Sequence, residues 1–210
     1  MKPLLFILLF NCCTVFSQEK KTYYFDEKWK PITETLYKKI EKQENHITRF
    51  FETDTAYIGK IFLFENYGQL NNVTFKAVKE HLAGISGKAI DESKPIVINY
   101  VSDVNDPSDT GKPYIYDISN WKRVGKLKKR TDLNLFWLQH EKNKPQISRY
   151  SKSVSWIFDK DGFIARIFLE YNCPIGSIIV IKPDGTYLAY YCIERAYDDV
   201  ITIIDKFSKE

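Results

Sequence analysis

Apolar and polar positions follow three rhythms along this chain, and each rhythm predicts a different kind of element. From residue 22 to about residue 70 the period is two: "TYYFD" and "HITRFFETDTAYIGKIFLF" alternate as half-buried strands do, with Asp54-Thr55 placed to turn a hairpin. Between them "TETLYKKIEKQ" has the charge pattern of a short exposed helix. From residue 72 a longer period takes over. Phe75, Val78, Leu82 and Ile85 fall on one helical face, which Asn72 or Thr74 can cap and Gly84 or Gly87 can end. The third rhythm is the continuous apolar run from Pro95 to Val101, which predicts a strand buried on both faces.

Beyond that strand the two shorter periods alternate. The spacing predicts a helix over 119–130, a strand at "LNLFWLQ", an extended run at "VSWIF", and a helical face on Phe163, Ile164, Ile167, Phe168 and Tyr171. "GSIIVIKPDGTYLAYYC" predicts a hairpin turned at Pro183-Asp184-Gly185, and Tyr197, Val200, Ile201, Ile204 and Phe207 predict a last amphipathic helix. The expected organisation is therefore a β-rich N-terminal unit over 18–71, followed by an α/β domain over 72–210 whose sheet has helices on both faces.

Composition refines this at the N-terminus. Residues 1–17 combine Lys2, an apolar stretch from Leu4 to Phe10, and a small residue at Ser17, the pattern of an export signal cleaved before Gln18. A lipid anchor on Cys12 or Cys13 is the rival, but Phe10-Asn11 lacks the small residues that such a site needs. The apolar stretch is too short to span a bilayer, which takes about 20 residues. The protein is thus expected to cross the inner membrane and reside in the periplasm or outside the cell. Losing the signal lowers the net charge only from +4 to +3, which selects no charged partner. Lys122-Arg123 and Lys126 to Arg130 have the helical spacing of a solvated face, so nucleic acid is not expected.

Candidate chemistry is sparse. Cleavage of the signal leaves Cys173 and Cys192, which an oxidising compartment would allow to pair. The straight-strand offset between them is about 7 to 10 Å, beyond the usual Cα separation of a disulfide, and a bend at 174–176 would be needed to close it. A disulfide, an inert buried cysteine and a reactive thiol at Cys173 all remain open on sequence alone. The polar loop after the buried strand carries Asp103, Asn105, Asp106 and Asp109, where ligands of α/β sheets gather. The same carboxylates are suited to solvation and helix capping, and their spacing is not that of a calcium-binding loop. His46, His81 and His140 are scattered, and neither a metal nor a cofactor is expected. The tyrosines of "NYGQLNN" and "YLAYYCIERAY" fit a binding surface as well as ordinary sheet packing.

From residue 72 onward the order of helix, buried strand, helix, strand, helix, hairpin and helix resembles the thioredoxin fold. "KPIVINYVSD" looks like the central strand leading to the redox loop of secreted thioredoxin-like proteins, and "GSIIVIKPDGTY" like their C-terminal hairpin. In that family a Cys-x-x-Cys stands where the central strand meets the next helix. The matching positions, Val101 to Gly111, hold no cysteine. The place of the family's cis-proline falls at Gly176, two residues after Pro174. The resemblance thus implies a redox-inactive binding or accessory module whose partner is a protein or peptide. The alternative is an enzyme of thiol–disulfide exchange or peroxide reduction, with Cys173 attacking and Cys192 resolving.

Overall fold

The structure is a computed structural model and describes residues 20–43, 45–102, 121–142, 154–171, 173, 176–192 and 200–209. Among the described residues there are two sheets, five α-helices and a short 3-10 turn at Lys160–Gly162.

The first sheet is built by β1 (Lys21–Phe25), β2 (Pro31–Ile32), β3 (His46–Glu52) and β4 (Ala56–Leu63), in the order β2-β1-β4-β3. β3 and β4 form the expected hairpin, with His46 opposite Leu63 and Glu52 opposite Tyr57. Thr53 closes its turn: its amide donates to the Ala56 carbonyl at 2.8 Å, and its Oγ1 accepts from the Ala56 amide at 3.0 Å. β1 runs parallel to β4. The connection between them includes α1 (Glu34–Ile40), whose Thr33 cap accepts from the Leu36 amide. This helix is not wholly exposed, as its charge pattern suggested. It sends Tyr37, 1% exposed, onto the sheet beside Tyr24 and Phe50, with ring centres 4.9 and 5.6 Å away. Gly59 makes room for this cluster, since a Cβ there would stand 2.8 Å from the Tyr24 ring.

The second sheet has the order β5-β10-β9-β6-β7-β8. Its strands are β5 (Glu65–Gln69), β6 (Ile96–Val101), β7 (Asn134–His140), β8 (Ile157–Asp159), β9 (Ser177–Ile181) and β10 (Thr186–Tyr190). β6, β7 and β8 are parallel neighbours, and β9, β10 and β5 are joined by antiparallel pairings. Every residue of β6 is buried, as the continuous apolar run predicted. Ile96, Ile98 and Tyr100 pack with Val78 and Leu82 of α2 (Asn72–Ser86) and with Ile164 and Phe168 of α4 (Phe163–Phe168). Val97 and Val101 pack on the other face with Val124 and Leu127 of α3 (Trp121–Lys128) and with Val200, Ile204 and Phe207 of α5 (Val200–Lys209). The α/β class holds, with helices on both faces of this sheet.

Three local expectations are corrected. Asn71, rather than Asn72 or Thr74, caps α2 by accepting from the Thr74 amide at 2.8 Å, and Gly87 ends it at φ 67°. The helix at 163 stops at Phe168, leaving Tyr171 buried beyond its end. "ENYGQ", read with the N-terminal β-rich unit, is the outer strand β5 of the second sheet, and its pairing with β10 sets Gly68 opposite Tyr187. The chain changes sheets at Phe64, whose carbonyl accepts from the Tyr191 amide at 2.8 Å. The β9–β10 hairpin turns as expected, with Gly185 at φ 85° and Asp184 Oδ1 accepting from the Thr186 amide.

Candidate functional site

The carboxyl end of β6 remains the natural place to look for a site. Val101 and Ser102 are buried there, while Asp103, Asn105, Asp106 and Asp109 lie outside the described residues. Beneath that end the same face of the sheet carries two amides with unmet hydrogen-bonding capacity. Asn99 Nδ2 on β6 and Gln139 Oε1 on β7 are buried and lack hydrogen-bond partners among the described residues. An unmade hydrogen bond of this kind costs about 1–3 kcal/mol. Such groups are unusual in a core that is otherwise apolar.

The two cysteines lie at the same end of the sheet. Tyr100 on β6 is opposite Ser177 on β9, and Ile178 is opposite Tyr190 on β10, so Cys192 follows the strand end nearest the β6 exit. The straight-strand offset is closed by a turn in which the Gly176 amide, at φ 99°, donates to the Cys173 carbonyl at 3.1 Å. This brings the Cα atoms of Cys173 and Cys192 to 5.6 Å, and the structure joins them in a disulfide. Cys173 is fully buried and Cys192 is 6% exposed. The polar neighbours gather at Cys192 rather than at Cys173. Arg49 Nη2 lies 3.8 Å from its Sγ, and the Tyr171 hydroxyl lies 3.4 Å from the same atom.

Two buried charged groups escaped the sequence reading. Asp159, fully buried at the end of β8, accepts from the amides of Ile164 and Ala165 and from the Tyr100 hydroxyl, all at 3.0–3.1 Å. His81 Nε2 stands 3.1 Å from its Oδ1, so α2, β6, β8 and α4 meet on one carboxylate. Lys60 on β4 is equally buried. Its ammonium donates to the Ile61 carbonyl at 2.8 Å and lies over the rings of Phe62 and Trp29 at 4.6 and 4.9 Å. Burial lowers the Lys60 pKa, while the charges of Glu170, Asp26 and Glu27 oppose that shift. A lysine inside "GKIFLF" and an aspartate before "KDG" were the available signals, and both look like ordinary strand and turn residues in sequence. Of the other histidines, His140 is opposite Asp159 in the β7–β8 register and His46 begins β3 of the first sheet, and no metal-holding cluster occurs among the described residues.

An open cleft of about 480 Å³ lies where the chain passes between the sheets, lined by Asn45, Leu63, Phe64, Glu65, Tyr67 and Tyr190. Phe64 and Tyr190 stack with their planes 23° apart, and Tyr67, 60% exposed, donates its hydroxyl to Glu65 at 2.7 Å. Of the tyrosines singled out in "NYGQLNN" and "YLAYYCIERAY", Tyr67 and Tyr190 line this cleft, whereas Tyr191 is buried and Tyr187 packs against the core. The chain matches no family profile, no curated protein and no solved structure.

Proposed function

We propose that the protein is an exported thioredoxin-like module without disulfide-reductase activity that binds a protein or peptide segment through the aromatic cleft. The fold part of this reading is supported by the succession of α2, β6, α3, β7, α4, the β9–β10 hairpin and α5, with β6 interior and helices on both faces. One observation carries the functional part: Cys173 and Cys192 are bonded to each other and nearly enclosed, while the cleft is open and aromatic. A thiol-exchange catalyst needs an accessible thiolate, whereas a binding module needs contact area held on a rigid frame. Tyrosine and phenylalanine supply that area at little entropic cost.

Two measurements test the reading. In insulin reduction with dithiothreitol as electron donor, the mature chain should show no turnover above background. Turnover that disappears in Cys173→Ser would replace the module by an enzyme. Peptides selected from a displayed random library on the wild-type protein should bind Tyr190→Ala about tenfold more weakly, as expected for loss of an aromatic contact worth near 1.4 kcal/mol. Selected peptides that bind the variant equally would remove the cleft from the proposal.

A further inference from the structure

The disulfide lies against a half-buried arginine that no carboxylate pairs among the described residues. Arg49 stands on β3 directly opposite Lys60 on β4, so two cations occupy neighbouring positions on the face of the first sheet turned toward the second. The guanidinium of Arg49 lies 5.9 Å from the centre of the Tyr171 ring, and its Nε is buried without a hydrogen-bond partner. Among the described residues, no carboxylate comes within ion-pair distance of it. Its contact at 3.8 Å with Cys192 Sγ is its one hydrogen bond there, and the Tyr171 hydroxyl reaches the same sulfur. Burial raises the Tyr171 phenol, so that hydroxyl keeps its proton and remains a donor. Cys192 also holds a left-handed backbone at φ 54°, which is uncommon for a residue with a side chain.

A sulfur in a disulfide is a neutral and weak acceptor. A thiolate carries a full charge and is stabilised by a neighbouring arginine. The donors around Cys192 therefore suit the reduced state better than the bonded one. We propose that the Cys173–Cys192 bridge is a reversible redox site, reduced by a small external dithiol, whose reduced form holds a thiolate at Cys192 against Arg49 and Tyr171.

The exchange balances as follows. One thiolate of the dithiol attacks the Sγ of Cys192, the more exposed of the two residues, and the S–S bond breaks with Cys173 leaving and taking a proton. The second thiolate of the reductant then attacks its own sulfur in the mixed disulfide. This closes the reductant's disulfide and expels Cys192 as the better leaving group. The reductant loses two electrons and two protons; one proton ends on Cys173 and the other in solvent. Because Arg49 belongs to the first sheet and Cys192 follows β10 of the second, reduction turns a weak N–H···S contact between the sheets into an ion pair.

The test equilibrates the full mature chain with graded ratios of reduced and oxidised dithiothreitol, followed by alkylation and mass measurement, with circular dichroism to follow folding. The wild type should be reduced while still folded. Arg49→Met should favour the disulfide by about tenfold, close to 30 mV for a two-electron couple, and Arg49→Lys should recover much of that loss. Thiolate absorbance of Cys173→Ser should show Cys192 ionised near neutral pH, and the signal should vanish when Arg49→Met is added. Where Arg49→Met fails to fold, Tyr171→Phe must shift the equilibrium in the same direction. An equilibrium unchanged within about twofold in the folded variant, or reduction only upon unfolding, overturns the proposal. Because this is an equilibrium and the insulin assay measures turnover, either idea can fail alone.

Discussion

The two sheets solve the same problem of burial by different means. In the six-stranded sheet β6 and β9 are buried at every position, and helices on both faces cover them. The four-stranded sheet has α1 on one face and the larger sheet near the other, and it leaves Tyr23, Phe50 and Tyr57 39–51% exposed. It also carries Lys60 and Arg49 side by side, where the second sheet places Tyr171 and Cys192. One sheet is an apolar core with a single charged hub at Asp159. The other is a thin layer held by rings, one glycine and two cations. The candidate chemistry lies where these designs meet: Lys60 is enclosed by two rings and a backbone carbonyl, and Arg49 is half-buried against a ring and a sulfur.

The largest test of this contrast is Asp159→Ala. It leaves four hydrogen-bonding groups on three elements, α2, β6 and α4, without their shared partner, and should cost about 4 kcal/mol in urea unfolding. A cost below about 1 kcal/mol would mean that the hub adds little beyond packing. Hydrogen exchange comes next. Amides of Val97 to Asn99 should exchange only through global opening, while those of Phe50 and Phe51 should open about 2 kcal/mol more easily. Equal protection would make the two sheets one cooperative unit.

Gly59→Ala should destabilise the protein by about 2 kcal/mol, since its methyl meets the Tyr24 and Tyr37 rings, and thermal unfolding would measure it. Lys60→Met should be neutral or stabilising by about 1 kcal/mol at neutral pH, because it removes a buried charge that no carboxylate among the described residues pairs. The sign with pH follows from linkage. Burial lowers the Lys60 pKa, so the unfolded chain holds this proton more tightly than the folded one. Stability should therefore rise as pH climbs through the lowered value toward the ordinary lysine range, and Lys60→Met should abolish that rise. The smallest effect belongs to Asp91, before β6. Hydrogen bonds from Lys94 and Ser93 hold its carboxyl at about 2. Its contribution to stability is present above the usual value near 4 and is lost as pH falls toward about 2. An NMR titration of Lys94→Met should show the midpoint moving up.

Much of the fold was legible because periodicity reports burial directly. The run 95–101, the Asp54-Thr55 and Pro183-Gly185 hairpins, and the stripe Phe75-Val78-Leu82-Ile85 all state locally which face meets the core. The sheet that β5 joins was not legible, since "ENYGQ" follows the N-terminal strands in sequence yet pairs with distant β10. Neither was the burial of Tyr37, which depends on a gap above Gly59 on another strand.

The candidate chemistry divides in the same way. Four cysteines, an apolar N-terminal stretch and the missing Cys-x-x-Cys stand in the sequence, as does a polar segment after the central strand. That Cys192 meets Cys173, Arg49 and Tyr171 depends on a turn at Gly176 and on two sheets brought together across 143 residues of chain. Local periodicity follows from the covalent order of neighbouring side chains and their transfer out of water. The surroundings of a buried charge follow from distant segments meeting, and only the folded chain decides which of them meet.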